Sequence, residues 1–291
     1  MTDTGLQVHS HSFSAMASPC EIKVETDDPA LAVRLGAIGE VEARRIEEKY
    51  TRYKPTGIVS RINSAQGEPV EVDAETAGLI AYAAQVHELS EGRFDITSGV
   101  LRRVWKFDGS ANVPSRALVQ KVLPLVGWSK VRWDNPVITL PAGMEIDLGG
   151  ICKEYAVDRA AMAVRQAAPD VPAMVNFGGD LATTAPKREG RWRIAIESLD
   201  PTKDTGGVLH IAGGAIATSG DARRFLLKKG RRYSHILDPR TGYPVEHPPR
   251  SVTVAAKTCL QAGTLSTLAM LRGREAETFL KSEGVQSWVH W

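Results

Sequence analysis

The residues best suited to chemistry sit in glycine-rich stretches. The longest runs Glu145-Ile146-Asp147-Leu148-Gly149-Gly150-Ile151-Cys152-Lys153-Glu154-Tyr155-Ala156-Val157-Asp158. An apolar, extended run ends there in an acid and two glycines. A pattern of helical period follows, in which Cys152, Ala156, Ala160, Ala163 and Ala167 share a face. This predicts a strand, a glycine turn and a helix start. Adjacent glycines let backbone groups approach a ligand closely, and a helix start offers unpaired N–H groups and the positive end of its dipole to an anion. Asp147 and Lys153 add one charge of each sign. For these residues alone, an anion site and a plain tight turn are both open readings. A second glycine pair follows a strand-like run in Met174-Val175-Asn176-Phe177-Gly178-Gly179-Asp180, and Gly213 to Asp221 predicts a third small-residue turn, which carries hydroxyls.

Several elements must position these stretches. The stretch Phe13 to Glu25 ends in alternating residues that predict a strand, with Ala17-Ser18-Pro19 as its irregular approach, and Asp28 caps a helix that opens on Pro29 and runs towards Tyr50. Asp73 caps a second helix, Ala74 to Ser90, closed by Gly92. Between this helix and another opened by Pro114, Arg93 to Asp108 mixes aromatic, acidic and small residues, as binding loops do. Val131 to Trp133 and Val137 to Leu140 predict a hairpin across Asp134-Asn135-Pro136. Trp192 to Ile196, Val208 to Ile211 and Ser251 to Ala255 predict strands, and Ala262 to Leu271 a helix that Gly273 interrupts. Helices come first and strands with turns second, without βαβ alternation. The fold class is therefore α+β, in one compact unit with a helical N-terminal part and a mixed or antiparallel sheet core.

With 291 residues, 43% hydrophobic and 24% charged, the chain is long enough for a sizeable core. A formal net charge of +2 argues against a generic nucleic-acid binder. The short basic clusters at Arg102-Arg103, Arg223-Arg224 and Lys228 to Arg232 suit solvated faces better than a phosphate site. Cys20, Cys152 and Cys259 lack CxxC spacing and fit a reducing compartment. No stretch is apolar enough for a bilayer span or a leader, so the chain as given reads as cytoplasmic, with no membrane partner.

Four separated motifs match one family pattern in order: Asp147 to Asp158, Asn176 to Asp180, Thr218-Ser219-Gly220-Asp221, and Ser234-His235-Ile236-Leu237-Asp238-Pro239-Arg240-Thr241-Gly242. With Arg52-Tyr53 and Gly92-Arg93-Phe94-Asp95 upstream, the chain resembles the ApbE family of flavin transferases, the FAD:protein FMN transferases, from about Phe13 to Leu280. The resemblance implies one ApbE-like domain over residues 13–291, after a disordered or extended N-terminus at 1–12. The reaction it implies splits the pyrophosphate of FAD, moves FMN through its phosphate onto a Thr or Ser hydroxyl of an acceptor flavoprotein, and releases AMP. Met16, Tyr53, Arg93, Phe94, Asp95, Asp147, Lys153 and the backbone at Leu237 would hold FAD. His235 would accept the hydroxyl proton, as an imidazole with an ordinary pKa of about 6.5 can.

Magnesium would bind the Gly150 carbonyl and Thr267, but the segment Ala262-Gly263-Thr264-Leu265-Ser266-Thr267 has Gly263 where the family carries a carboxylate. A hard cation prefers charged oxygens, so this departure weakens the expected metal site. It also leaves a weakened FAD-binding protein or an FAD pyrophosphatase as alternatives to the transferase. Glu154 stands where the family has glycine, and Ala17 likewise. Glu154 and Glu21 are the candidate replacement ligands, against the alternative that Glu154 points into solvent. Restoring the acid with Gly263→Asp is expected to raise activity if metal loss is the defect.

Overall fold

The described residues open on a hairpin, where the sequence predicts one strand with an irregular approach. The computed structural model describes residues 6–196, 207–221 and 224–291. The first five residues and Arg223, which figured in the sequence reading, lie outside these. Strand β1 (Gln7–Ala15) pairs antiparallel with β2 (Ser18–Thr26) across the two-residue turn Met16-Ala17. Both turn residues have positive φ, 51° and 54°, as the primed hairpin turns require, and without a glycine such a turn leaves little trace in sequence. Helix α1 (Pro29–Tyr50) follows, with Asp28 Oδ1 accepting from the Ala30 and Leu31 amides. Next come α2 (Ile58–Ser64), β3 (Pro69–Glu71) and α3 (Ala74–Leu89), which Asp73 caps.

The expected loop after α3 contains a 3-10 helix, Ile96–Arg103, capped by Asp95. Helix α4 (Arg116–Val122) is capped by Ser115 and starts two residues beyond Pro114. The predicted hairpin is β4 (Arg132–Asp134) and β5 (Val137–Thr139), and β5 also pairs with β3. Helix α5 (Cys152–Ala167) follows the central glycine pair. The stretch Glu145 to Leu148 before it forms no strand ladder. Its backbone bonds instead to the Asn63 carboxamide, which accepts from Ile146 N (2.7 Å) and donates to Ile146 O (3.0 Å), and Asp147 N donates to Ile96 O (2.8 Å).

The second half contributes β6 (Ala173–Phe177), β7 (Asp180–Thr183), β8 (Trp192–Ile196), β9 (Gly207–Ile211), β10 (Ala215–Gly220), β11 (Phe225–Lys228), β12 (Arg231–Ser234), β13 (Leu237–Asp238), β14 (Tyr243–Pro244) and β15 (Ser251–Ala256). Helices α6 (Cys259–Leu271) and α7 (Ala276–Ser282) and strand β16 (Gln286–His290) finish the chain. The stretch from Gly213 is thus a turn only at its start, since strand β10 carries Thr218 and Ser219. The main sheet has the order β1-β2-β6-β7-β10-β15-β16, and every strand pairing among the described residues is antiparallel. The architecture is α+β.

Helices α1 and α5 pack on each other and on this sheet through Leu35, Ile46, Val157, Val164, Ile22 and Phe177, all buried. A Cβ at Gly39 would lie 2.3 Å from Ile22 Cδ1, so this close approach of α1 to the sheet requires glycine. The buried face of α5 is Glu154, Ala156, Val157, Ala160, Ala161 and Val164. It is rotated from the predicted alanine stripe, and Ala167 is exposed. A second core, with Leu101, Trp105, Val119 and Leu226 at its centre, joins the 3-10 helix to the β11–β14 region. No described helix is long and apolar enough to cross a membrane.

Candidate functional site

The central glycine turn is fixed from two sides. Asp147 forms an Asx-type turn, with Oδ1 accepting from Gly149 N at 2.9 Å, and its Oδ2 is ion-paired with Arg52. Arg52 also donates to the Tyr53 hydroxyl (2.9 Å) and lies over its ring, 4.9 Å from the centroid. Tyr53 is 80% exposed, a large ring face at the rim. On the other side Phe94 is buried, and a Cβ at Gly150 would come within 3.2 Å of its Cε2. Asp95 is buried and occupied within the fold: it accepts from Thr97 N, Thr97 Oγ1 and Trp128 N at 2.6–2.9 Å. It anchors Phe94 and the 3-10 helix.

Lys153, in the first turn of α5, joins this turn to the second glycine pair. Its Nζ lies 2.5 Å from Asp180 Oδ2 and 3.9 Å from where a Gly178 Cβ would be. Asp180, 2% exposed, also accepts from Thr218 N at 2.9 Å. Gly178 and Gly179 both have positive φ, and Gly179 N donates to Asn176 Oδ1. Ser18 Oγ packs 2.8 Å from the Gly178 Cβ position, which brings the Met16-Ala17 hairpin to the same place. Burial works against the Lys153 charge, but the Asp180 carboxylate more than offsets this and raises its pKa. The first two glycine turns and the end of β10 therefore converge. Gly213 and Gly214 do not, since Gly214 O bonds Thr183 N at the far end of β7.

Glu154 is 8% exposed and does not point into solvent. Its side chain lies against Gly263 of α6: a Cβ there would be 2.4 Å from Glu154 Cγ and 2.9 Å from Cδ. Its Oε2 is buried without a hydrogen-bond partner. Burial first, and the Asp180 charge second, push its pKa up to about 8. Gly263→Asp would therefore overpack this contact, contrary to the expectation of a simple gain. One turn along α6, Thr267 Oγ1 is 3.0 Å from Ser219 Oγ, which also bonds Ser266 Oγ at 2.8 Å. Glu21, the other candidate ligand, pairs with Lys23 at 3.2 Å. Among the described residues no three His, Cys, Asp or Glu side chains form a metal cluster.

His235 lies in the β12–β13 connection. Its Nδ1 is 3.0 Å from the Arg224 carbonyl, which can only accept, so in the neutral ring Nδ1 carries the proton and Nε2 is a free base. Burial and then the Arg224 charge hold its pKa below the ordinary 6.5. Phe107 meets its ring edge to face, with centroids 6.2 Å apart. Leu237 pairs with Pro244 and packs in the second core, where Trp105 Nε1 donates to Gly242 O at 2.8 Å. Burial raises the Asp238 pKa, but the bonds from Arg240 outweigh it, and Arg93 adds its charge in the same direction. The segment from Arg93 to Phe107 thus touches both the central glycine turn and the His235 loop. Arg52 Nε and Arg93 Nε are buried without partners. Met16 enters through its backbone, its N donating to Glu47 Oε1 at 2.7 Å.

Sequence reasoning missed Asn63 and the hydrogen bonds that join Ser219 to Ser266 and to the expected ligand Thr267, because both depend on contacts between distant segments. A cavity of about 800 Å³ lies elsewhere, between α3, α6 and α7, lined by Tyr82, Val86, Leu89, Leu268 and Phe279.

Known proteins are similar to this chain in sequence and fold. The pattern of the ApbE family matches residues 16–289. A FAD:protein FMN transferase from Klebsiella pneumoniae (strain 342) is 32% identical over 278 residues, covering 92% of this chain and 84% of the relative. One from Haemophilus influenzae is 28% identical, covering 92% and 82%. The crystal structure of the ApbE protein from Thermotoga maritima superposes with a TM-score of 0.86 at 32% identity, over 97% of this chain and 94% of that one. The apo Pseudomonas stutzeri flavinyl transferase ApbE gives 0.84 at 28% identity, over 98% and 91%. The sequence motifs, the fold and these matches agree, and the chain belongs to the ApbE family.

Proposed function

We infer that this chain transfers FMN from FAD to a Thr or Ser hydroxyl of an acceptor flavoprotein, releasing AMP. The observation that carries this reading is the meeting of two glycine turns at the Lys153 ammonium, a geometry suited to the negatively charged oxygens of a pyrophosphate. Tyr53 and Phe94 supply ring faces for FAD, Arg93 and the Arg52–Asp147 pair supply polar groups, and Met16 and the Leu237 backbone border the site.

The acceptor hydroxyl oxygen attacks the phosphorus on the FMN side. The bond from that phosphorus to the bridging oxygen breaks, and AMP leaves with the electron pair. The hydroxyl proton passes to His235 Nε2, which is unprotonated at neutral pH because its pKa is depressed. A divalent cation such as magnesium supplies, when bound, positive charge to the phosphate oxygens. The chain fits one: the unpartnered Glu154 Oε2 and the Thr267 and Ser219 hydroxyls are hard oxygen donors around one turn of α6, and the Gly150 carbonyl heads the helix that carries Glu154.

The test incubates the protein with FAD, magnesium and a candidate acceptor and follows masses. An FMN increment on the acceptor with AMP in solution supports transfer. Free FMN with AMP supports a pyrophosphatase, and intact FAD a binding protein.

A further inference from the structure

We propose that the carboxylate of the metal site has changed helices in this protein, so that Glu154 on α5 supplies it through the space left open by Gly263 on α6. This rests on the transferase reading above and deepens its metal site. The two positions exclude each other. A Cβ at Gly263 would lie 2.4 Å from Glu154 Cγ, 2.9 Å from Cδ and 3.0 Å from Oε1, closer than packed atoms tolerate, so the Glu154 conformation depends on glycine there. A side chain on α6 and the long one on α5 would compete for one volume.

Glu154 does not fill that volume as an inert packing group. It is more than nine-tenths buried, and its Oε2 has no partner among the described residues. Burying a carboxyl oxygen without a partner is costly unless a ligand completes it. The turn of α6 that it lies against carries several oxygens. Thr267 follows Gly263 by four residues and so shares its helix face, Ser219 bonds Thr267 and Ser266, and Ser266 Oγ bonds Gly263 O at 3.0 Å. One carboxylate with neutral hydroxyl and carbonyl oxygens is the donor set of a hard divalent cation. Lys153 is ion-paired with Asp180, so it reaches Glu154 only through its charge, against which the nearby Asp180 carboxylate works.

The test is a Mn2+ titration in the presence of saturating FAD, with free Mn2+ read by electron paramagnetic resonance. It uses the full chain and the variants Glu154→Gln, Gly263→Asp and Glu154→Gly/Gly263→Asp. The parent is expected to bind one Mn2+. Glu154→Gln, isosteric and uncharged, is expected to weaken it more than about 10-fold while keeping the melting temperature of the metal-free protein. Gly263→Asp alone is expected to lower that melting temperature, and the double variant to recover both folding and Mn2+ affinity, a non-additivity that marks direct coupling. A parent that binds no Mn2+, a Glu154→Gln protein that binds it as the parent does, or a double variant no better than Gly263→Asp overturns the proposal. Mass analysis of FMN transfer on the same samples separates the two readings: transfer that persists without Glu154-dependent Mn2+ binding leaves the enzyme function standing and removes only this assignment.

Discussion

His235 holds its proton on Nδ1 by donating to the Arg224 carbonyl, and its burial beside Phe107 and the Arg224 charge disfavour the imidazolium. The folded protein therefore keeps this ring neutral to lower pH than a free histidine. A base must be unprotonated to accept a proton, so kcat/KM for FMN transfer is expected to be flat near neutrality and to fall only as pH drops through a midpoint below 6.5. His235→Gln should abolish that limb and cost about 100- to 10,000-fold in kcat. An unchanged pH profile in the variant would remove His235 from the chemistry. Asp147 and Lys153, by contrast, are positioned by partners that a sequence names only by motif: Arg52 for one and Asp180 for the other.

Three helices are tied together by one carboxylate. Glu75, in the first turn of α3, accepts from Arg45 (2.7 and 2.8 Å) and Lys49 (2.6 Å) on α1 and from the Tyr155 hydroxyl (2.9 Å) on α5. The Arg45 bonds foremost, then Lys49 and Tyr155, overcome burial and hold its pKa far below the ordinary 4.5. A depressed folded pKa gives stability that is present above the unfolded value and lost as pH falls below it. Glu75→Gln should thus cost about 1–3 kcal/mol at pH 7, in urea denaturation, and progressively less at pH values below 4.5. The β1–β2 turn offers the opposite case. Ala17 holds a φ of 54°, a region that disfavours every residue with a Cβ, so Ala17→Gly should stabilise by about 1 kcal/mol. Elements with local signals were legible in the sequence: Asp28 and Pro29 mark the start of α1, Asp73 that of α3, and alternation marks β8. Those whose shape depends on distant partners were not. Glu145 to Leu148 is extended in pattern, but its backbone bonds to a side chain of α2, and Met16-Ala17 turns without glycine. Thr-Ser-Gly at the end of β10 has turn composition but strand pairing with β15.

At the scale of the molecule, the antiparallel sheet carries the second glycine turn at one end, and α5 brings the first to meet it. Each of the four family motifs contributes residues to the two linked groups around Lys153 and His235. Glu154 was named from the sequence, with Glu21, as a candidate replacement for the acid missing at Gly263, but the contact between Glu154 and Gly263 was not legible, because it joins two helices that only the folded chain brings side by side. A cavity between α3, α6 and α7 lies away from the motifs, while the two glycine turns that meet at Lys153 present backbone groups and one ammonium. Such a grip should act mainly on the phosphates. Two charge-assisted contacts of about 1.5 kcal/mol each correspond to roughly 100-fold in affinity. The most direct measurement is a calorimetric titration of the protein with FAD and, separately, with riboflavin, which has the same ring and no phosphate. One FAD per chain, bound at least about 100-fold more tightly than riboflavin, is the predicted result. Equal binding of the two, or no binding of FAD, would contradict the account.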